Sequence, residues 1–272
     1  MVKLKLPGVT LVIVETRAHE LAKLAVEDCL RVCEFEDILI LTNKPNQFGD
    51  IKARYHIVPD WPDKLGWSRS WWFDVPALLK TRQTLNIQWD SWIWDITKWR
   101  KEFMDYDYIG APWWYKDGKN VGNGGFSLVS SRLKRYIADR RDKFACDSSL
   151  DDDLLCRKYR PALQDAGFIW ASEKVAHDFA FECARPNKTS RHFGFHAMFN
   201  WPEVLDREKL LERISLAFKS PYIRKSYMIK AFCEKHPTII KELLEKENGG
   251  GRRIHGKSVS RLVSRRRNAS AA

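Results

Sequence analysis

The sequence lacks the features that mark a membrane-spanning or secreted chain. It contains no run of about eighteen apolar residues, and its N-terminus has no apolar signal segment. None of the six cysteines belongs to a Cys-x-x-Cys pair, which argues against a zinc site and favours free thiols in a reducing compartment. We therefore expect a soluble, cytoplasmic protein that has no transmembrane segment.

A cofactor-binding motif is also missing. The first strand-like segment, residues 9–14, is not followed by Gly-x-Gly-x-x-Gly. In dinucleotide-binding enzymes that motif holds the pyrophosphate at the start of a helix. Its absence argues against a Rossmann-fold oxidoreductase.

Strand and helix patterns alternate in the N-terminal third of the chain. Residues 9–14, 37–41 and 55–58 are mostly apolar runs with the length of buried strands, and His19–Val32 has apolar residues near helical spacing. This alternation predicts the α/β class, with a Rossmann-like sheet flanked by helices.

Polar residues follow the predicted strands. Thr16 and Arg17 come after the first strand and Asn43 after the second, while residues 88–90 end a later strand-like run. Ligands of open α/β sheets bind beyond the carboxyl ends of the strands. We therefore expect Thr16, Arg17 and Asn43 on the ligand edge.

Three glycines fall within four residues at Gly122, Gly124 and Gly125. Backbone without a Cβ can adopt a positive φ and approach a ligand closely, so we expect this loop to border a binding site. The alternative is an ordinary hairpin turn.

Two further features suggest chemistry at the sheet edge. Asp90 at a strand end and His196 far downstream are candidate ligands of a divalent metal, which would neutralise a diphosphate. A carboxylate of the acidic run 151–153 that is not a ligand would take a proton from an incoming hydroxyl. The alternatives are structural: Asp90 caps a helix, the acidic run satisfies a helix N-terminus, and His196 is a packed core residue.

The order of these motifs resembles that of the GT-A-fold glycosyltransferases, and more closely a bacterial and viral branch of them. The shared motifs are Q-x-D at residues 88–90, YDYIGAPW at 106–113, GNGGFSL at 122–128, an acidic pair at 151–152 before C-x-x-Y-R at 156–160, and FGFH at 193–196. The resemblance covers roughly residues 9–201. It implies a GT-A-like mixed sheet flanked by helices. Beyond it, the patterns of residues 203–218 and 222–247 predict a helical C-terminal extension.

The resemblance also implies roles for particular residues. Asp90 and His196 correspond to the ligands of a divalent metal, Mn²⁺ or Mg²⁺, which is bound together with a nucleotide-sugar donor. Asp152, with Asp151 beside it, corresponds to the base of an inverting transfer. The donor-binding residues that it implies are Thr16, Arg17, Asn43, Gln88, Trp89, Asp90, Gly124 and Gly125. The acceptor-binding residues are Trp113 and Asn123.

Two residues depart from the pattern of the family. Gln88 replaces the first acid of the metal-binding DxD motif, so the site has one carboxylate fewer. Asp151 stands where the family commonly has glutamate, whose reach is longer.

The charge of the chain bears on the acceptor. The net charge is +12, and residues 252–267 contain seven of the basic side chains and no acid. One possible acceptor is DNA with a hydroxylated base, whose phosphates residues 130–141 and 252–267 would follow. The other is a glycan or lipid-linked saccharide, with the basic tail resting on an anionic membrane surface.

We thus expect a glycosyltransferase domain at residues 1–201, a helical extension at 202–247 and a basic tail without fixed structure at 248–272. A nucleotide sugar is the expected donor. The alternative is a GT-A-like scaffold that binds nucleic acid or another polyanion without turnover, which the loss of an acid at Gln88 favours.

Overall fold

The computed structural model describes residues 2–61, 64–144, 152–183 and 191–249. The chain divides into two compact units, one ending at His196 and the other beginning at Ala197. In the ranges just given, no helix is both long and apolar enough to cross a bilayer. Asp151 and the basic tail from residue 250 onward lie outside the described residues.

The described part of the first unit forms two β-sheets. Their strands are β1 (Leu4–Val14), β2 (Cys33–Thr42), β3 (Arg54–Ile57), β4 (Gln83–Ile87), β5 (Trp92–Ile93), β6 (Tyr108–Gly110), β7 (Phe126–Ser130), β8 (Ala180–Phe181) and β9 (Gly194–Phe195). The larger sheet has the order β3-β2-β1-β4-β7-β6, and the smaller has the order β5-β9-β8.

The larger sheet is mixed. Strands β3, β2, β1 and β4 run parallel to one another, whereas β7 pairs antiparallel with both β4 and β6. Helices connect and flank these strands. The predicted fold class, a mixed α/β sheet flanked by helices, is therefore confirmed.

The helices divide between the units. Those of the first unit are α1 (His19–Val32), α2 (Lys64–Arg69), α3 (Val75–Leu78), α4 (Ser131–Ala138), α5 (Arg141–Phe144), α6 (Arg160–Asp165) and α7 (Glu173–Phe179). Those of the second unit are α8 (Trp201–Val204), α9 (Arg207–Lys219), α10 (Pro221–Arg224), α11 (Tyr227–Lys235) and α12 (Pro237–Gly249).

Helix α1 spans the range that its apolar spacing predicts, and a carboxylate from the end of β1 satisfies its first turn. Oε1 of Glu15 accepts hydrogen bonds from the amides of Arg17 (2.6 Å) and Ala18 (2.9 Å). Burial raises the pKa of Glu15, and these amide donors oppose the rise. Such a carboxylate also faces the positive end of the helix dipole favourably.

Apolar spacing predicts further helices at residues 68–82 and 150–166 and a partly helical segment at 92–106. The described parts of the first two are each interrupted by a π-helix, at Ser70–Asp74 and Leu154–Lys158. Proline stands in the first turn of the α-helix that follows each one, where its missing N–H is tolerated. The third segment begins with β5 and continues as two short 3₁₀-helices.

Tryptophans from the first π-helix form part of the core. Trp71 and Trp72 are almost completely buried, and the ammonium group of Lys134 lies 3.0 Å from the ring centroid of Trp71. The same ammonium group donates a hydrogen bond to the Trp71 carbonyl (3.2 Å). Burial lowers the pKa of Lys134 well below its ordinary value.

The strand order places a crevice at one edge of the larger sheet. From β1, the chain adds β2 on one side and β4 on the other, so the order reverses between β1 and β4. Ligands of open α/β sheets bind beyond the carboxyl ends of the strands at such a point. The glycine-rich loop reaches the same edge, because Phe126 at the start of β7 pairs with Ile87 at the end of β4.

Candidate active site

Asp90 is fully buried in the turn directly after β4. Ser91 fixes this turn: its Oγ accepts a hydrogen bond from the Gln88 amide (2.8 Å) and donates one to the Gly125 carbonyl (2.6 Å). The next element is the strand β5, so the alternative in which Asp90 caps a helix is wrong.

His196 follows β9 and lies between two carboxylates. Its Nε2 is 3.5 Å from Oδ1 of Asp90, and its Nδ1 is 2.9 Å from Oε1 of Glu182. The amide of His196 donates a hydrogen bond to the Phe181 carbonyl (2.9 Å), which anchors the backbone at this point. The fold thus brings together Asp90 and His196, which are far apart in sequence.

The charges of these three side chains are coupled. Burial alone would lower the pKa of His196, but the carboxylates of Asp90 and Glu182 outweigh it and raise that pKa to about 10. Burial likewise favours a higher pKa for Glu182, and the interaction with His196 outweighs it and lowers that pKa below its ordinary value. Without a metal, the two carboxylates thus favour the protonated imidazole.

Glu182 is a site residue that the sequence analysis did not find. It directly follows the two-residue strand β8 and belongs to none of the motifs described above. It lies beside His196 because β8 and β9 pair in parallel and end together, with Phe181 opposite Phe195. Strands this short leave almost no periodic signal in a sequence.

The glycine-rich loop is shaped by packing against side chains. A Cβ on Gly122 would overlap the ring of Trp113 and also clash with Cβ of Cys156. None of Gly122, Gly124 and Gly125 has a positive φ, so that part of the prediction is wrong. The glycines are needed because neighbouring side chains occupy the space of a Cβ.

Asp152 and His196 lie against consecutive residues of this loop. Oδ2 of Asp152 accepts a hydrogen bond from the Gly124 amide (2.7 Å), and a Cβ on Gly124 would lie 3.1 Å from the Asp152 side chain. A Cβ on Gly125 would fall within the imidazole ring of His196. The predicted base and the predicted metal ligand therefore flank a single peptide unit.

The predicted acceptor residues are buried beside this loop. Asn123 accepts a hydrogen bond through Oδ1 from the Gly125 amide (3.1 Å), and Trp113 packs on Gly122. Trp89, assigned to the donor, is buried as well. Their contacts with substrates remain predictions.

The residues predicted to hold the nucleotide lie at the carboxyl ends of β1 and β2. Thr16 is buried, and Nε of Arg17 lies 3.7 Å from Oδ1 of Asp60. Oδ1 of Asn43 is 2.8 Å from Nε2 of His19. These side chains and Asp90 share one edge of the sheet.

Basic side chains border a cavity of about 320 Å³ at the opposite edge of the sheet, where β4 begins and β7 ends. Arg135, Arg132 and Arg82 contribute to its lining. Arg132 makes two hydrogen bonds to the buried carboxylate of Asp107, and Arg82 lies 3.7 Å from Asp105. Part of this positive charge is therefore neutralised locally.

The donor atoms fit a divalent metal only in part. In the portion of the chain that the structure describes, no group of three or more His, Cys, Asp or Glu side chains is arranged to hold a metal. Asp90 and His196 would supply two ligands, since the 3.5 Å between Oδ1 and Nε2 suits two donors bonded to one ion at roughly 2.1 Å. Glu182 stands where a carboxylate commonly orients a metal-binding histidine. Phosphate oxygens and water would complete the coordination.

Comparison with known sequences gives one family. A family model described as a protein of unknown function, DUF5672, matches residues 69–196, which include Asp90, the glycine-rich loop, Asp152 and His196. No curated protein matches the chain significantly.

The solved structures that resemble this fold include glycosyltransferases. The apo form of the glycosyltransferase GlyE from Streptococcus pneumoniae TIGR4 has a TM-score of 0.40 and 11% identity, covering 72% of this chain and 54% of GlyE. An active-site mutant of LgtC has a TM-score of 0.41 and 12% identity, covering 78% of this chain and 96% of LgtC. The galactosyltransferase LgtC in complex with donor and acceptor sugar analogues has a TM-score of 0.36 and 12% identity, covering 69% and 86%.

This chain spans about half the length of GlyE.

Proposed function

We propose that the chain transfers a glycosyl group from a nucleoside-diphosphate sugar to an acceptor hydroxyl. The observation that carries this proposal is the position of Asp152 and His196 against the consecutive glycines 124 and 125, at the edge of the sheet where the strand order reverses. A carboxylate that accepts a proton and a site for a charged leaving group are thereby adjacent, which single-displacement transfer requires.

The donor nucleotide binds in the crevice beyond β1 and β4. Thr16 and Arg17 border it from β1, Asn43 from β2, and Gln88 with Trp89 from β4. Support comes from the topology, since each of these residues follows a parallel strand of the same sheet. Gly124 and Gly125 form the part of the loop nearest the donor sugar.

Asp90 and His196 hold a divalent ion, Mn²⁺ or Mg²⁺, at the donor diphosphate. When bound, such an ion supplies positive charge that stabilises the leaving nucleoside diphosphate. Glu182 keeps Nδ1 of His196 turned toward itself, so that Nε2 faces Asp90. With Gln88 in place of an acid, the chain supplies one anionic ligand fewer and depends more on the phosphate oxygens.

Asp152 acts as the base, with Asp151 beside it. Its ionised form is stabilised by the hydrogen bond from the Gly124 amide. It takes the proton of the acceptor hydroxyl while that oxygen bonds to the anomeric carbon, and the bond to the diphosphate breaks with its electron pair. A single displacement of this kind inverts the anomeric configuration. Asn123 and Trp113 hold the loop against which the acceptor hydroxyl lies.

A thermal-shift series with nucleoside diphosphates and nucleotide sugars, each with and without Mn²⁺, tests this proposal. A ligand at a hundred times its Kd adds about 2.7 kcal/mol to the stability of the fold that binds it. We expect one nucleotide to stabilise the wild type in a metal-dependent way, and Asp90→Asn to remove that dependence. Asp152→Asn is the matched control and should still bind. Stabilisation by none of these ligands would contradict the proposal.

A second candidate is a scaffold that binds a polyanion without turnover. The net charge of +12 and the cluster of Arg82, Arg132 and Arg135 at the opposite edge favour it. It predicts DNA affinity that falls steeply with salt and is weakened by Arg135→Ala. Affinity that is absent, or insensitive to salt, would remove this candidate and the DNA acceptor together.

A further inference from the structure

One aromatic side chain beside the candidate site is open to solvent. Trp114 is 64% exposed, whereas its neighbour Trp113 is only 7% exposed. It lies in the hairpin that the bridge between Pro112 and Val121 closes. Its indole thus presents an open aromatic face on which a planar or apolar ligand surface can stack.

The hairpin holds Trp114 in a defined position. Its ring contacts Tyr115 at 5.3 Å between centroids, and Tyr115 in turn packs edge-on against Trp113 at 5.9 Å. The guanidinium group of Arg157 covers Tyr115 at 3.5 Å from the ring centroid. Arg157 also binds both carboxylate oxygens of Asp117 in the hairpin. Trp114 and Tyr115 are called the platform below. Tyr115, which supports Trp114, is therefore held from both sides before any ligand binds.

The same contacts connect Trp114 to the proposed base. The hydroxyl of Tyr115 makes a long hydrogen bond of 3.5 Å to Oδ1 of Asp153, and Nε of Arg157 lies 3.5 Å from the same oxygen. Asp153 directly follows Asp152. An exposed aromatic face thus stands a few contacts away from the carboxylate that would take the acceptor proton.

The charge around the platform is nearly balanced. The charged side chains of the hairpin and of the helical segment 152–158 behind it are Lys116, Asp117, Lys119, Asp152, Asp153, Arg157 and Lys158. Four are basic and three are acidic, and Arg157 is paired with two of the acids, Asp117 and Asp153. A phosphodiester backbone would gain little electrostatic binding energy here, whereas an uncharged ring with an apolar face does not need it.

We propose that Trp114 is an acceptor subsite, which stacks on the apolar face of a neutral sugar ring in an oligosaccharide. The inference rests on the proposed glycosyl transfer for its place in the reaction. Another sugar of the same acceptor presents its hydroxyl to Asp152. The acceptor is accordingly a chain of at least two sugars.

Direct binding of saccharides tests this without any need for turnover. Saturation-transfer NMR would use lactose, cellotetraose, maltotetraose and chitotetraose as probes. We expect at least one of them to receive saturation from the wild-type protein. Its Kd should rise about tenfold or more in Trp114→Ala and much less in Trp114→Phe, because the aromatic face supplies the affinity. Tyr227→Ala, which removes another exposed aromatic ring, should leave the Kd unchanged.

The outcomes separate this inference from the proposed function. Saccharide binding that depends on Trp114, in a chain that no nucleotide stabilises, would keep the platform and overturn the transferase. Metal-dependent nucleotide binding with saccharide binding that is absent, or equal in Trp114→Ala, would overturn the platform alone. A short duplex DNA that binds in place of the saccharides, and is released by the same substitution, would also overturn it.

Discussion

The imidazole of His196 fills the space that a β-carbon on Gly125 would need. A glycine at position 125 therefore sets where Nε2 points, and with it the distance to Asp90. Any larger residue at that position has to displace the histidine or the loop, since both are buried.

We expect Gly125→Ala to abolish the metal-dependent part of nucleotide binding and to lower the thermal stability of the first unit. Gly124→Ala should have a smaller effect and serves as the comparison. Its Cβ would be 3.1 Å from Asp152, a contact that a small shift relieves. Thermal shift with Mn²⁺ and nucleoside diphosphate measures both effects. Equal metal dependence in the two variants would show that His196 does not bind the metal.

Asp152→Asn should abolish transfer to an acceptor and leave donor binding close to that of the wild type. The amide side chain can still accept a hydrogen bond from the Gly124 amide, but it cannot take a proton from the acceptor. Product formation and nucleotide binding are measured on the same preparation. Turnover that survives in this variant would remove Asp152 as the base, while Asp153→Asn serves as a control for the exposed neighbour.

The stability of the metal-free protein should depend on pH through His196. Its pKa is raised from 6.5 to about 10 in the folded chain, so its protonated form stabilises the fold. That contribution is fully present below about pH 6.5 and is lost as the pH rises through about 10. Urea denaturation should therefore show a steeper loss of stability over this range in the wild type than in His196→Gln, on the order of a few kcal/mol. Parallel pH profiles would contradict the coupling of His196 to its two carboxylates.

Positive φ angles at two positions predict changes in stability of opposite sign. Ala197, next to His196, has a φ of 79°, and Gly118 has a φ of 77° with no atom within 4 Å of the place that a β-carbon would take. We expect Ala197→Gly to stabilise the chain by about 1 kcal/mol and Gly118→Ala to destabilise it by a similar amount. Chemical denaturation measures both. A destabilised Ala197→Gly would mean that its methyl group packs more favourably than its backbone is strained.

Lys134 offers a test of the core. Its ammonium group is buried against Trp71, and no carboxylate among the described residues is paired with it. Burying an amine without an acidic partner costs free energy, and an apolar side chain of similar shape avoids that cost. Lys134→Met should therefore raise the free energy of unfolding by about 1 kcal/mol or leave it unchanged. A large loss would show that the contact with the tryptophan outweighs the cost of burying the charge.

The sequence predicts the parts of this fold whose signal is local and long. The bounds of α1 agree at both ends, and the strands β1, β2 and β3 fall on the predicted apolar runs. At residues 68–82 and 150–166 the agreement is partial, because an apolar stripe does not distinguish an α-helix from a π-helix that carries one residue more in a turn.

The residues of the site also divide into those with a local signal in the sequence and those without one. Asp90 and His196 stand in recognisable motifs, and the structure places them 3.5 Å apart. The position of Glu182 and the exposure of Trp114 depend on strand pairing and on packing, which one sequence does not reveal. Trp113, which the sequence favours, has the same residue type as Trp114 and the opposite environment.

The central position of β1 has a consequence for biosynthesis. This strand leaves the ribosome before both of its partners, and β2 can pair with one of its edges soon afterwards, but the partner of its other edge, β4, begins only at Gln83. Until then a very apolar edge stays unpaired and is open to other nascent chains. Productive folding in a cell thus depends on how long that edge stays unpaired. Slower translation between residues 42 and 83 would lengthen this exposure.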